Sequence, residues 1–597
     1  GYPSKVGTSS PGIVKDSLQI WRRVTARHGV ALFIHFSGVW DSLAVQQHPE
    51  WAAVRPDGKP DDRATSTFGP YVDELMIPEL KEAAEKYDLD GAWVDGECWA
   101  VRLDYSPAAA CAFREATGHT QLPKSAQNPG WREFLELNRE QFRRYVKRYV
   151  DALHAFRPNF QIASNWLYST YAPERPELPV DFLSGDYLGN ATVSVARLEA
   201  RYLAATGKPW DLMAWGFQQA ADRKIGHIDK PVVQLEQEAS VVLAQGGGFQ
   251  VYYNPTRAGR IDDRHIEVMA RLAGFCRARQ ALSHRTETVP QIGLLFSKDS
   301  LYKHTGRLFG GWGRAVDPAR GLLDALLENH YSVDIIPDWK LEEALGLYPL
   351  VVVPEWVDIG RPAQQALSRH VRRGGKLLLV GVENAALFAE EIGVRLKGAP
   401  SERRAQVLGD EVFGNAYGVW QDVEPVSAQQ IELRFPTNDS TRDGACAATL
   451  TRYGDGEIAA IYGSIGGVFA ATHAPAIRQF IGRVVGRLYQ PMARLEGPPT
   501  VELTLRTAGP GFTAGRKGSK LLVHLGNCTA MQVAGDYAAV DFIPSVGLLR
   551  LSVQMAQRPA RATLEPGGRP LRGEWKNGVW TGAIDRFHIH AICVIEV

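Results

Sequence analysis

"DLDGAWVDGECWA" (residues 88–100) places Asp90, Asp95 and Glu97 in one short apolar run that also carries Trp93 and Trp99. A buried strand does not carry carboxylates without cause, because an unpaired buried charge costs several kcal/mol or shifts its pKa. "LDGAWVD" (89–95) reads as a strand that ends on Asp95. The helical stretch "ELMIPELKEAAEKY" (74–87) precedes it, with apolar residues at helical spacing. Working outward, "GVALFIHF" (29–36), "FQIASNW" (160–166), "PVDFLSGDY" (179–187), "PWDLMAW" (209–215) and "GGFQVYYNP" (247–255) read as further strands, and 132–156 as a long helix. Strands alternating with helices over this length predict parallel βα units, and the size suits a (β/α)8 barrel of the TIM type. In such a barrel the carboxyl ends of the strands carry the chemistry. His35, Asp95, Asn165, Asp186 and Asn254 all fall at such ends.

The remaining chain divides in two, giving an α/β protein of three blocks: a barrel over 1–285, a second domain over 286–495 and a third over 496–597. The second block runs through "VPQIGLLFSKDS" (289–300), "GLLDALLENHYSVDIIPD" (321–338), "YPLVVVPEW" (348–356) and "GGKLLLVGVEN" (374–384). Its strands, helix and turn glycines describe a flavodoxin-like, doubly wound domain. No GxGxxG or GxxxxGK[ST] loop accompanies it, so nucleotide binding is not indicated. The third block has short strands, "TVELTLRT", "SKLLVHLGN", "GLLRLSVQM" and "HAICVIEV", between Gly/Pro/Asn turns. That pattern predicts a β-sandwich.

With 597 residues, 67 basic against 66 acidic, the charge balance argues against nucleic acid or an anionic membrane as partner. No apolar run approaches the roughly 20 residues a membrane helix requires. The six cysteines are scattered without a CxxC or Cys/His cluster, which argues against structural zinc and a disulfide scaffold. No HExxH or other ligand set suggests a metal, no cofactor motif is found, and no GxSxG nucleophile elbow is present. The opening "GYPSKVG" has no methionine and no signal-like stretch. That leaves the compartment open between a removed leader and a tag remnant.

Among known chemistries, two carboxylates over a barrel mouth fit glycoside hydrolysis best. Asp95 and Asp186 are the candidate pair, each set against the plain alternative of a loop or turn aspartate. Glu97 is a second candidate acid. His35 ends an apolar strand, where a core histidine is the commoner occupant. In "HPEWA", Glu50 and Trp51 pair a hydrogen-bonding carboxylate with a flat apolar ring, the two surfaces a sugar offers partners for. Trp99, Asn165 and Trp166 complete the expected sugar-contacting set.

These residues, in this order, resemble the α-L-fucosidase family (glycoside hydrolase family twenty-nine) over the first block. "LFIHFSGVW" is similar to that family's strand-one motif, and the resemblance gives His35 a sugar-binding role. "HPEWA" resembles its glutamate–tryptophan pair. "ELKEAAEKYDLDGAWVDG" resembles the helix and strand that deliver the nucleophilic aspartate, here Asp95. "VDFLSGDYL" resembles the segment with the acid/base glutamate, where Asp186 stands. "GKPWDLMAWGF" and "VVLAQGGGFQVYYNPTRAGRID" resemble two later family segments. The lysine–histidine–histidine–aspartate–glycine motif that grips fucose is missing, and Trp166 stands where an arginine is expected. Both departures touch sugar recognition rather than the nucleophile.

The second block resembles the trimerisation domain of certain β-galactosidases, which favours a homo-oligomer (dimer or trimer). The resemblance implies retaining hydrolysis of a terminal sugar, a carbohydrate partner and export to the periplasm or medium. Two alternatives stay open: a β-galactosidase-like exo-hydrolase using Glu97 or another glutamate, and a non-catalytic carbohydrate-binding barrel.

Overall fold

The computed structural model describes residues 2–9, 12–187, 192–219, 227–256, 258–310, 314–508, 519–529, 532–534 and 537–597. Six parallel strands carry the first domain: β1 (Phe33–Ser37), β2 (Gly91–Asp95), β3 (Gln161–Ser164), β4 (Leu183–Tyr187), β5 (Trp210–Trp215) and β6 (Gly248–Tyr252). Each coincides with one of the apolar runs of the sequence. The pairing order is β1-β2-β3 and β4-β5-β6, and a bridge between Asn165 and Ser184 joins the two halves. Among the described residues no pairing joins β6 back to β1, so a six-stranded arc stands in place of the expected eight-stranded closure. The sequence has six strand-like runs before residue 286, and the helix that follows β6 (Asp263–Gln280) packs Val268, Leu272 and Phe275 against this domain's core.

On the inner strands the residues facing the helices are fully buried, as Ala92 and Val94 of β2 and Ile162 of β3 show, whereas Ile34 and Phe36 of the edge strand β1 are partly exposed. The opposite face follows from the two-residue side-chain period of a strand. His35 pairs with Trp93, Ser37 with Asp95, Asp186 with Met213, and Trp215 with Tyr252. This parity points the strand-end polar residues to one shared interior.

The helix expected over 74–87 is divided. Residues Val72–Met76 form a π-turn, and α1 (Ile77–Tyr87) begins with Pro78 near its start. Proline has no N–H to give and is tolerated only in a first turn. The long helix α2 (Trp131–Phe156) buries Phe142, Tyr145, Val146, Tyr149 and Leu153 at helical spacing against this domain's core.

The second domain is built on a nine-stranded sheet. Five of its strands are parallel, in the order 333–337, 292–296, 350–353, 376–380 and 456–461. That is the 2-1-3-4-5 order of a flavodoxin-like domain. Four antiparallel strands (445–453, 429–435, 406–408 and 413–415) extend it on one side. The third domain packs a six-stranded sheet on a four-stranded one around Leu503, Val523, Leu551, Trp580 and Cys593. Strand 287–288 pairs with 506–507 and strand 493–496 with 550–553, so the linkers on either side of the second domain are stitched into the sandwich.

A buried ionic junction ties the three domains together. From helix α3 (Thr192–Ala205), Arg197 Nε donates to Glu502 Oε2 at 2.7 Å and Arg201 Nη2 donates to Glu502 Oε1 at 2.5 Å. Arg197 Nη1 also reaches Asp324 Oδ1 of the second domain at 3.3 Å. Burial pushes the Glu502 carboxyl up, but the two arginines outweigh it and hold the group below its ordinary range. Removing one partner of such a pair strands the others without compensation, at about 3–5 kcal/mol. Glu502→Gln is therefore expected to lower the unfolding temperature by several degrees, read by scanning calorimetry. Because the folded-state pKa is depressed, this stabilisation is present above the unfolded carboxylate range and is lost as pH falls through the folded value. The difference between wild type and variant should shrink on acidification.

Candidate active site

Asp95 is the last residue of β2, and its carboxylate is the centre of a hydrogen-bonded cluster. Asn165 Nδ2 donates to Oδ1 at 2.9 Å, and Trp99 Nε1 donates to the same oxygen at 2.9 Å. His35 Nε2 stands 3.4 Å from Oδ2, with its ring stacked on Trp93 at 5.3 Å between centroids. Burial pushes this carboxyl up, but the contacts with His35, Asn165 and Trp99 and the Gly96 N–H outweigh it, holding Asp95 at about 2.

Asp186, on β4, is buried in the opposite sense. Its Oδ2 accepts a hydrogen bond from Trp215 Nε1 at 2.7 Å, while its buried Oδ1 has no hydrogen-bond partner among the described residues. Burial and, after it, the negative charge of Asp95 raise Asp186 to about 6, against the opposing pull of Trp215. The Asn165 amide faces Asp186 as well and favours its anion without making a full hydrogen bond to it. Two aspartates 91 positions apart thus share an asparagine and each other's field: one is held ionised, the other is biased toward its protonated form.

The local chain explains how Asp95 comes to be presented. Gly96 takes φ +62°, a left-handed conformation that favours glycine, and a Cβ there would lie 2.5 Å from Trp40 Cβ. The turn it makes sends Glu97 back into the protein. Glu97 is fully buried, with its Oε2 accepting from Ser164 Oγ at 3.0 Å and Tyr149 OH at 3.4 Å. A Cβ at position 38 would sit 1.8 Å from its Oε1, so only Gly38 leaves room for this side chain. Burial and the charge of Asp95 raise Glu97 to about 8. This corrects the expectation that Glu97 faces a substrate: it is packed behind the strand ends.

The other expected residues divide. His35, Trp99 and Asn165 gather on Asp95. Trp166, next to Asn165, is buried at φ +67°, its ring 5.9 Å from that of Tyr171. Trp51 is also buried, stacked on His48 at 3.8 Å. It lines a lateral cavity of about 870 Å3 together with His35, Ser37 and Tyr253, on the side where β1 has no strand partner. Glu50 is set apart: its exposed carboxylate pairs with His48 Nδ1 at 3.2 Å and is not among the residues that line that cavity.

Some contributors were not singled out in the sequence. Trp215 is one, although it ends β5 as Asp95 ends β2, and strand parity was the available signal. Tyr252 ends β6, and the charges of Asp95 and Asp186, after burial, raise its phenol. Asp211 lies one layer deeper. It accepts from Ser184 Oγ at 2.6 Å and Gln250 Nε2 at 2.7 Å, and burial raises it to about 6. Among the described residues no group of three or more His, Cys, Asp or Glu is arranged to hold a metal, and no helix is long and apolar enough to cross a membrane.

No protein-family model matches the sequence, and no curated protein matches it. Solved structures do match in fold. The chain is similar to α-L-fucosidase isoenzyme 2 from Paenibacillus thiaminolyticus, with 18% identity, a TM-score of 0.82, and coverage of 100% of this chain and 92% of that one. It is similar to a β-galactosidase from Bacillus circulans sp. alkalophilus (13% identity, TM-score 0.66, 98% and 93% covered). A β-galactosidase from G. stearothermophilus matches with 14% identity and a TM-score of 0.68, over 97% of this chain and 90% of that one. The fold likeness therefore spans all three domains, where the short motifs of the sequence reached only the first.

Proposed function

We propose that this protein is a glycoside hydrolase that removes a terminal sugar by a retaining, two-carboxylate mechanism, on a fucosidase-like scaffold whose six-stranded arc is an open variant of the (β/α)8 barrel. The observation that carries this reading is the opposed state of the two aspartates. Asp95 is the nucleophile: three hydrogen-bonding partners keep it ionised and aim it. Asp186 is the acid/base: a buried carboxyl with one oxygen unpartnered among the described residues, raised to about 6, holds a proton where a leaving oxygen can take it.

In the first step Asp95 attacks the anomeric carbon while Asp186 protonates the departing oxygen. In the second, Asp186 deprotonates water, which displaces Asp95 from the sugar. His35, Asn165 and Trp99 hold Asp95, and the Trp215 N–H steadies the Asp186 anion that forms between the steps. The full-length fold likeness to an α-L-fucosidase and to β-galactosidases supports a sugar substrate and makes these two glycosides the first to try.

A panel of 4-nitrophenyl glycosides headed by α-L-fucoside and β-D-galactoside tests the reading. One glycoside is expected to be cleaved, with the first-formed sugar keeping its anomeric configuration in proton NMR. Inversion would exclude the covalent step. Sugar binding by calorimetry with no cleavage of any member after long incubation would make the protein a carbohydrate binder.

A further inference from the structure

We propose that the loops following β1 and β2 form a subsite beside Asp95 for an anionic group of the substrate, with Arg63 and Arg102 as its ligands, carried on the Trp40–Trp99 pair. This rests on the glycosidase reading for the role of Asp95 but not for the anion binding itself. Trp99 joins the two regions, since the indole that donates to Asp95 lies 5.4 Å from the Trp40 ring, tilted by 38°. The Arg102 guanidinium carbon lies 5.4 Å from the centre of the Trp40 ring and that of Arg63 5.6 Å from it. Trp40 itself is fixed. The Val39 N–H donates to the Gly96 carbonyl at 3.0 Å, and Trp40 bridges Ala64, which brings Arg63 alongside.

Neither guanidinium has an ion-pair partner among the described residues, and the acids nearby in sequence are engaged elsewhere. Asp61 and Asp62 hold Arg55. Asp104 is buried on Ser66, Ser106 and the Val54 N–H. Arg102 makes only long contacts, 3.4 Å, to the carbonyls of Trp99 and Val101. A third exposed arginine, Arg307, comes from the second domain on a segment whose Gly310 N–H donates to the Tyr171 carbonyl at 2.7 Å. Burial raises the Tyr171 phenol, and the positive charges of Arg102 and Arg307 both pull it down.

Two exposed arginines held over one indole, with no carboxylate among the described residues to satisfy them, suit a sugar that carries a carboxylate or a sulfate. Such a site strengthens as salt is lowered, because exposed charges are screened over about 10 Å at 0.1 M ionic strength.

Calorimetry on the full chain with two matched probe pairs tests this: digalacturonate against its methyl ester, and a sulfated carrageenan disaccharide against its desulfated form. The charged member of at least one pair is expected to bind at least tenfold tighter than its neutral partner at low salt. Which pair responds distinguishes a carboxylate from a sulfate. Arg63→Gln/Arg102→Gln should bring the charged-to-neutral ratio close to one, and Arg102→Lys should keep most of the preference. Equal binding within both pairs, or a ratio unchanged in the double variant with a native circular dichroism spectrum, would overturn the subsite. Charge preference in a protein that cleaves no glycoside would overturn the hydrolase reading alone.

Discussion

Asp95→Ala is expected to lower kcat by about ten-thousandfold or more on any glycoside the wild type cleaves, with the circular dichroism spectrum unchanged. The side chain is bound by His35, Asn165 and Trp99 at the interior end of β2, so its loss takes away the attacking atom while leaving the helix-facing residues Ala92 and Val94 in place. The smaller Asp95→Gly variant leaves space for azide on the same face of the sugar. Added azide should restore turnover and give a glycosyl azide of inverted configuration, because one displacement replaces two. Near wild-type turnover by Asp95→Ala would remove Asp95 as nucleophile and, with it, the mechanism.

Asp186→Asn should lower the rate by about 10²–10⁴-fold on a glycoside with a poor leaving group, the range of general acid–base catalysis. A substrate whose leaving group departs without a proton should lose far less in the first step. The pH dependence carries the sign. Asp95 must be ionised, which requires a pH above about 2, and Asp186 must start protonated, which fails as pH rises through about 6. The profile of kcat/KM is therefore bell-shaped with an acidic optimum, and Asp186→Asn should erase its alkaline limb. Trp215→Phe removes the hydrogen bond that most favours the Asp186 anion, so that limb should move to higher pH in this variant. An alkaline limb that stays in place in both variants would show that another group supplies the proton.

The two acids were legible in the sequence because each lies at or beside a strand end, Asp95 as the last residue of β2 and Asp186 as the last but one of β4. Glu97 was not, because a single left-handed glycine before it reverses the chain. Linear spacing placed it in the mouth, and the backbone placed it behind the strand ends. Trp215 was hidden for another reason: a tryptophan closing an apolar strand is ordinary core until the facing strand is known to carry Asp186. Glu50 shows the converse, a suggestive dipeptide whose tryptophan is buried on His48 while its carboxylate faces water.

By itself the order of residues determined the elements, their alternation and the two strand ends that carry acid, since side-chain period and apolar runs are local properties. Which carboxylate holds a proton was decided only by the tertiary structure, because a pKa depends on what is packed and charged around a group. The same holds for the Glu502 junction, where Arg197 and Glu502 meet across 305 positions, and for the edges of β1 and β6, which do not pair with each other among the described residues. Contacts of that separation are set by how whole domains pack, and no short stretch of chain encodes them.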